Sequence, residues 1–150
     1  MQKNRRWLLI LAGLLVALGT LPAGCAAGQT PVPHELAMAP MADMPADVQA
    51  APAPVREAYQ FAAANPDVLS QVPCYCGCGA LGHVNNYDCY FTGQPDDGSQ
   101  AFESHALNCI ICVDITQDAM RLLREGKSPA EIRDYVDTNY SRYGPSNMPG

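Results

Sequence analysis

A chain of 150 residues with nine basic and fifteen acidic side chains, formal charge −6, has room for one domain and lacks the basic surface that nucleic-acid binding needs. Hydrophobic residues make up 48% of it, but only 7% are aromatic and many of the others are alanine. The core is therefore small, and cross-links or a bound metal are its natural supplement.

Residues 1–24 read as a signal peptide. Lys3, Arg5 and Arg6 form a positive start, and the apolar run from Trp7 to Leu18 is shorter than the about 20 residues of a membrane span. Ala23 and Gly24 then precede Cys25, an arrangement that resembles a bacterial lipobox, in which the cysteine is acylated and becomes the new N-terminus. Pro22 stands where an aliphatic residue is usual, with Leu21 one step further away. The alternative is an ordinary secretory signal that leaves Cys25 as a free thiol. Lipidation, by palmitate or a similar acyl chain, accounts for the odd count of seven cysteines. The expected location is the extracytoplasmic side of the cell membrane. Loss of the leader leaves six basic against fifteen acidic residues, a formal charge of −9, which attracts cations and repels nucleic acid.

Residues 25–54 read as a disordered Ala/Pro/Met tether. Within it, close to His34, Met38, Met41 and Met44 are spaced by three and can gather three thioethers around a soft ion such as copper(I). The alternative is that methionine merely fills a biased linker. The folded domain is expected over 55–143. Its first helix covers Val55 to Ala64, with Val55, Ala58, Tyr59 and Ala62 on one face. Asn65 caps and Pro66 opens a short second helix through Leu69. From Gly77 to Asn108 the chain is rich in Gly, Asn and Asp, which predicts irregular loop with room for one short hairpin and a turn at 94–98. A helix follows over Ile110–Glu125, with Ile111, Ile115, Ala119 and Leu122 in one stripe. Arg121, Arg124 and Lys127 complement the dipole at its end, where Gly126 stops it. Ser128-Pro129-Ala130-Glu131 is a capping box that launches a helix through Tyr140, with Ile132, Tyr135, Val136 and Tyr140 facing the preceding helix. The fold class is mainly α: a small helical domain with an irregular cysteine-rich loop region and a C-terminal helical hairpin. Residues 144–150 form a tail.

Six cysteines lie inside the domain. Cys74, Cys76 and Cys78 form a C-x-C-x-C run, Cys89 follows, and Cys109 and Cys112 form a C-x-x-C at a helix N-terminus. Alternate residues of an extended segment point the same way, and Gly77 and Gly79 let the backbone bend so that three sulfurs converge. Neighbours in C-x-C pair poorly as disulfides, because the geometry needs Cα atoms about 4.4–6.8 Å apart with converging Cβ vectors. The helix N-terminus is expected to lower the thiol pKa of Cys109. His83 and His105 lie near enough in sequence to serve as additional ligands. Three readings follow: a soft-metal site for copper or zinc, three structural disulfides, and a thiol–disulfide redox protein acting through Cys109 and Cys112. Val113 stands where covalent haem attachment requires histidine. There is no Ser/His/Asp arrangement, phosphate loop or pair of carboxylates placed for hydrolysis.

The run Pro73-Cys-Tyr-Cys-Gly-Cys78-Gly79, followed by Gly82-His83, Asn85-Asn86 and Asp88-Cys89, resembles the PCYCGC-motif family of bacterial lipoproteins. The likeness continues through His105, Asn108-Cys109, Cys112-Val-Asp-Ile115 and Gly126-Lys-Ser to Glu131-Ile132. It implies a lipid-anchored exported domain and brings no established activity with it. The hairpin after the C-x-x-C also resembles the thiol-reductase subunit of cytochrome c maturation, which sustains the redox alternative. The sequence therefore leads to a non-enzymatic, membrane-anchored metal-binding protein. Cys74, Cys76, Cys78, Cys109 and Cys112 are its main ligands, and Cys89, His83 and His105 are additions. Copper is favoured, zinc is the alternative, and the expected partners are the membrane and a protein that donates or accepts metal.

Overall fold

The order of elements follows from where apolar periodicity, proline and glycine fall along the chain. The computed structural model describes residues 35–93 and 101–149. The signal peptide, Cys25, the first part of the tether with His34, and the turn at 94–98 lie outside these residues. The helices are α1 (Ala46–Ala50), α2 (Ala53–Ala64), α3 (Pro66–Leu69), α4 (Ile110–Arg124) and α5 (Pro129–Tyr140). One antiparallel pair, β1 (Phe91–Thr92) and β2 (Ala101–Phe102), forms the hairpin, with Phe91 opposite Phe102 and Thr92 opposite Ala101.

α2 packs on α4, and α4 on α5. The core contains Ala58, Tyr59, Phe61 and Ala62 from α2, Ile115, Ala119, Met120 and Leu122 from α4, and Ile132, Val136 and Tyr140 from α5. Val55, Ile111 and Tyr135, expected on the same faces, are only partly buried against it. The capping box of α5 is complete: the Glu131 backbone N–H donates to Ser128 Oγ, and Glu131 Oε2 accepts from the Ser128 N–H at 2.9 Å. Tyr59 sits at the centre, edge-on to Tyr90 at 4.9 Å, and its hydroxyl donates to the Glu103 carbonyl at 2.7 Å.

Two expectations change. Residues 35–54 are not tether: Met44 and Val48 are buried, and Leu36, Ala39 and Met41 pack against the core. Backbone pairing also holds this arm. The Ala39 N–H donates to the Gln60 carbonyl at 3.0 Å, and Gln60 Nε2 returns a bond to the Ala39 carbonyl at 2.7 Å. Asn65 is the N-cap residue of α3, but its side chain makes no bond to that helix. Its Nδ2 donates to the Phe61 carbonyl at the end of α2 and to the Ala37 carbonyl of the arm, each at 2.8 Å. An alanine- and proline-rich composition points to a solvated linker, but single apolar residues at Met44 and Val48 suffice to join the arm to the core.

If the arm belongs to the core, Met44→Ala should lower unfolding stability by about 2 kcal/mol or more. Denaturant unfolding of the purified protein measures this. An unchanged midpoint would show that the arm contributes nothing to the fold.

Candidate metal centre

The C-x-C-x-C run leaves α3 in an extended course and turns at Gly77, whose φ of 84° lies in the left-handed region that an L side chain adopts only under strain. Cys78 then begins a 3-10 turn over Cys78–Leu81, and a second such turn over Tyr87–Cys89 brings up Cys89. Cys109 is the N-cap residue of α4, and Cys112 lies in its first turn. His105 opens the 3-10 turn His105–Leu107 just before that helix. A loop, two turns and a helix start thus deliver all six domain cysteines to one place.

Two four-donor groups result. Cys74, Cys76, Cys78 and Cys89 have their sulfurs within 4.8 Å of one another, and so do the ligand atoms of Cys76, His105, Cys109 and Cys112. The separations inside the cluster are short: 3.4 Å for Cys74–Cys76, 3.5 Å for Cys74–Cys112 and Cys76–Cys112, and 3.7 Å for Cys78–Cys89. His105 Nε2 lies 3.4 Å from Cys76 Sγ. A disulfide bond is about 2.05 Å long; a tetrahedral ion with metal–sulfur bonds of about 2.3 Å holds its sulfurs somewhat under 4 Å apart. The spacing fits the second geometry, and all six cysteines are free thiols.

Charge within the cluster is uneven. Cys74 is brought down to about 4 by the hydrogen bond from Cys112, against the opposing effect of donating to Cys76. Cys76 is driven lower still, by hydrogen bonds from Cys112 and then Cys74. Cys78 and Cys112 are pushed up, first by hydrogen bonding to Cys74, and Cys89 first by hydrogen bonding to Cys112. Without a cation, hydrogen bonding within the cluster favours ionisation at Cys74 and Cys76 over the other four. The expected lowering at Cys109 is reversed. Burial raises its thiol, and the Cys112 backbone N–H opposes this only in part. Of the C-x-x-C pair, Cys112 is fully buried and in contact with Cys74 and Cys76. Within this pair neither thiol is both exposed and lowered, the combination that starts disulfide exchange.

A buried polar network fixes the helix start. Tyr90 Oη lies 2.7 Å from Thr116 Oγ1 and 2.9 Å from the Cys112 carbonyl. Thr116 donates to Asn86 Oδ1 at 2.7 Å. Tyr75, in the middle of the C-x-C-x-C run, donates to Asp137 of α5 and so ties the loop to the hairpin.

His83 is brought beside the centre but not into either group. Its ring lies 5.4 Å from that of His105, edge to face, its Nε2 is 4.0 Å from Glu103 Oε2, and its buried Nδ1 has no partner. The methionines separate: Met44 is buried in the core, Met41 is half-buried and Met38 is exposed. Asn147 is the site residue that the sequence reading missed, in a segment taken for a tail. Its Oδ1 accepts from the Cys74 N–H at 2.7 Å, its own N–H donates to the Cys74 carbonyl at 3.1 Å, and its Nδ2 donates to the Asn85 carbonyl at 3.0 Å and reaches Cys78 Sγ at 3.5 Å. Gly144 permits this return, since a Cβ there would stand 3.2 Å from the Tyr75 carbonyl. No local pattern marks this residue, because its partner Cys74 lies 73 positions away.

Fold and site together define a cysteine-rich helical domain with one all-thiolate donor group and one group of three thiolates and an imidazole, either of which can hold a metal ion. The family described as proteins of unknown function with a PCYCGC motif matches residues 21–149, and the chain belongs to it. Comparison with curated proteins and with solved structures gave no match.

Replacing Asn147 with Ala removes the acceptor for the Cys74 N–H and the donor to Cys78 while leaving every thiol in place. The expected result is a metal affinity about 10–100-fold weaker, read by competition with a chromophoric chelator. Unchanged affinity would show that the C-terminal segment does not support the site.

Proposed function

We propose that this protein is an exported, lipid-anchored metal-binding protein, with a closed-shell soft or borderline ion held in four-coordinate, sulfur-rich sites. The observation that carries this reading is the convergence of six thiols and one imidazole into an all-cysteine group and a mixed cysteine–histidine group. Both are donor sets of structural zinc sites, in which protein ligands fill every position and none is left for substrate. This supports a holding or carrying role over catalysis, and it shifts the preference from copper to zinc. The methionine spacing that favoured copper has lost Met44 to the core. Copper(I) is the second reading, supported by the predominance of thiolates among the donors.

The anchor rests on the basic start, the apolar run and the small residues before Cys25, which lies within the span matched by the family. Among the described residues no helix is long and apolar enough to cross a membrane. Acyl chains on Cys25 would supply stable attachment, as two or more chains bind where one is marginal. A protein held at the membrane in this way would receive its ion from, or pass it to, another protein.

Purification without oxygen, followed by elemental analysis and thiol counting on the same sample, tests the metal reading. Stoichiometric zinc, with six reactive domain thiols after denaturation and chelation, is expected; stoichiometric copper would select the second reading. Six oxidised sulfurs and no metal would refute both. For the anchor, Cys25→Ala expressed with its leader should move the protein from the washed membrane fraction to the soluble one; retention in the membrane fraction would refute lipidation at Cys25.

A further inference from the structure

We infer that the two donor groups form a single binuclear centre in which the Cys76 thiolate bridges two divalent ions, one enclosed and one exchangeable. This inference rests on the metal-binding reading and goes beyond it in stoichiometry, connectivity and use.

Ligand count is the first argument. Two tetrahedral ions with separate ligands need eight donors, whereas the two groups supply seven: six thiols and His105. Sharing one thiolate completes both coordination shells, and Cys76 is the residue the groups have in common. Its sulfur is placed for this, 3.4 Å from Cys74, 3.5 Å from Cys112 and 3.4 Å from His105 Nε2. Charge is the second argument. A single divalent ion in the first group carries a net charge of −2 and leaves Cys109, His105 and the fully buried Cys112 gathered beside it without an ion, whereas a second ion takes all three as ligands and leaves the total at −2, no worse than with one.

The two positions differ in access. Around the first, Cys74, Cys78 and Cys89 are at most 1% exposed, and Asn147 closes over Cys74 and Cys78. Around the second, Cys76, His105 and Cys109 are half-buried and only Cys112 is enclosed. The second ion also has a neutral imidazole where the first has a fourth thiolate, so it is held by less charge. A thiolate from a metal-carrying protein can approach from the exposed side, bind as the His105 imidazole leaves, and then displace the remaining sulfurs in turn. No electron changes hands, and each departing thiolate takes up a proton or stays in its hydrogen bonds. The enclosed ion holds the loop while the outer one is traded.

Cobalt(II) titrated anaerobically into the metal-free full chain tests this. Two equivalents should enter with sulfur-to-cobalt absorption. The paramagnetic resonance signal should rise to one equivalent and fall as the second enters, because the bridging sulfur couples the two spins. A signal that rises linearly to two equivalents would overturn the bridge, and saturation at one would overturn the second site. If no sulfur-bound cobalt forms, the metal reading itself fails. His105→Ala should bind the first equivalent as the parent does and the second about 10-fold or more weakly. Loss of both, or of neither, would overturn the assignment of sites. A chelator added to the two-cobalt parent should remove one ion quickly and the other slowly; simultaneous loss would overturn the asymmetry.

Discussion

Six sulfurs gathered into two overlapping groups create an arrangement that apolar packing does not need and that charge repulsion opposes as the sulfurs ionise. The Cys74–Cys76–Cys112 triangle, with sides of 3.4–3.5 Å, is its tightest part. In the metal-free protein the strain is relieved by hydrogen bonding among thiols, with Cys76 as the most readily ionised and Cys112 as a donor to both neighbours. A cation relieves it more completely, and its binding free energy adds to that of a small folded state. The cluster is therefore both the functional feature and the point at which four separate chain segments are joined.

The scaffold is built to hold those segments against the cost of crowding. Cys112 is fixed through its carbonyl and helix position by Tyr90, Thr116 and Asn86, all fully buried. Cys74 is held on both backbone groups by Asn147. Tyr75 reaches across to Asp137, and Tyr140 on the same helix donates to Asp118 of α4 at 2.8 Å. Such partners orient ligands before an ion arrives, so less ordering remains to be done at binding.

Much of this was legible in the sequence because it depends on local rules. The ends of α4 and α5, the capping box at Ser128 and Glu131, and the bend at Gly77 all follow from short patterns. What escaped was long-range. Nothing local shows that Met44 and Val48 join the core, or that Asn147 returns over 73 positions to bond Cys74. The Cys109 thiol was misjudged for a related reason: a helix N-terminus is visible in sequence, but the burial that outweighs it is not. His83, expected as an additional ligand, lies beside the centre and outside both donor groups, because spacing alone does not separate a ligand from a neighbour of one.

The resulting picture is of a small helical domain whose loops converge on sulfur, with a closed inner donor set and a more open outer one. X-ray absorption at the metal edge of the loaded protein tests that picture most directly. The account predicts a first shell dominated by sulfur at about 2.3 Å with a minor nitrogen contribution from His105. A shell of oxygen and nitrogen without sulfur would contradict it.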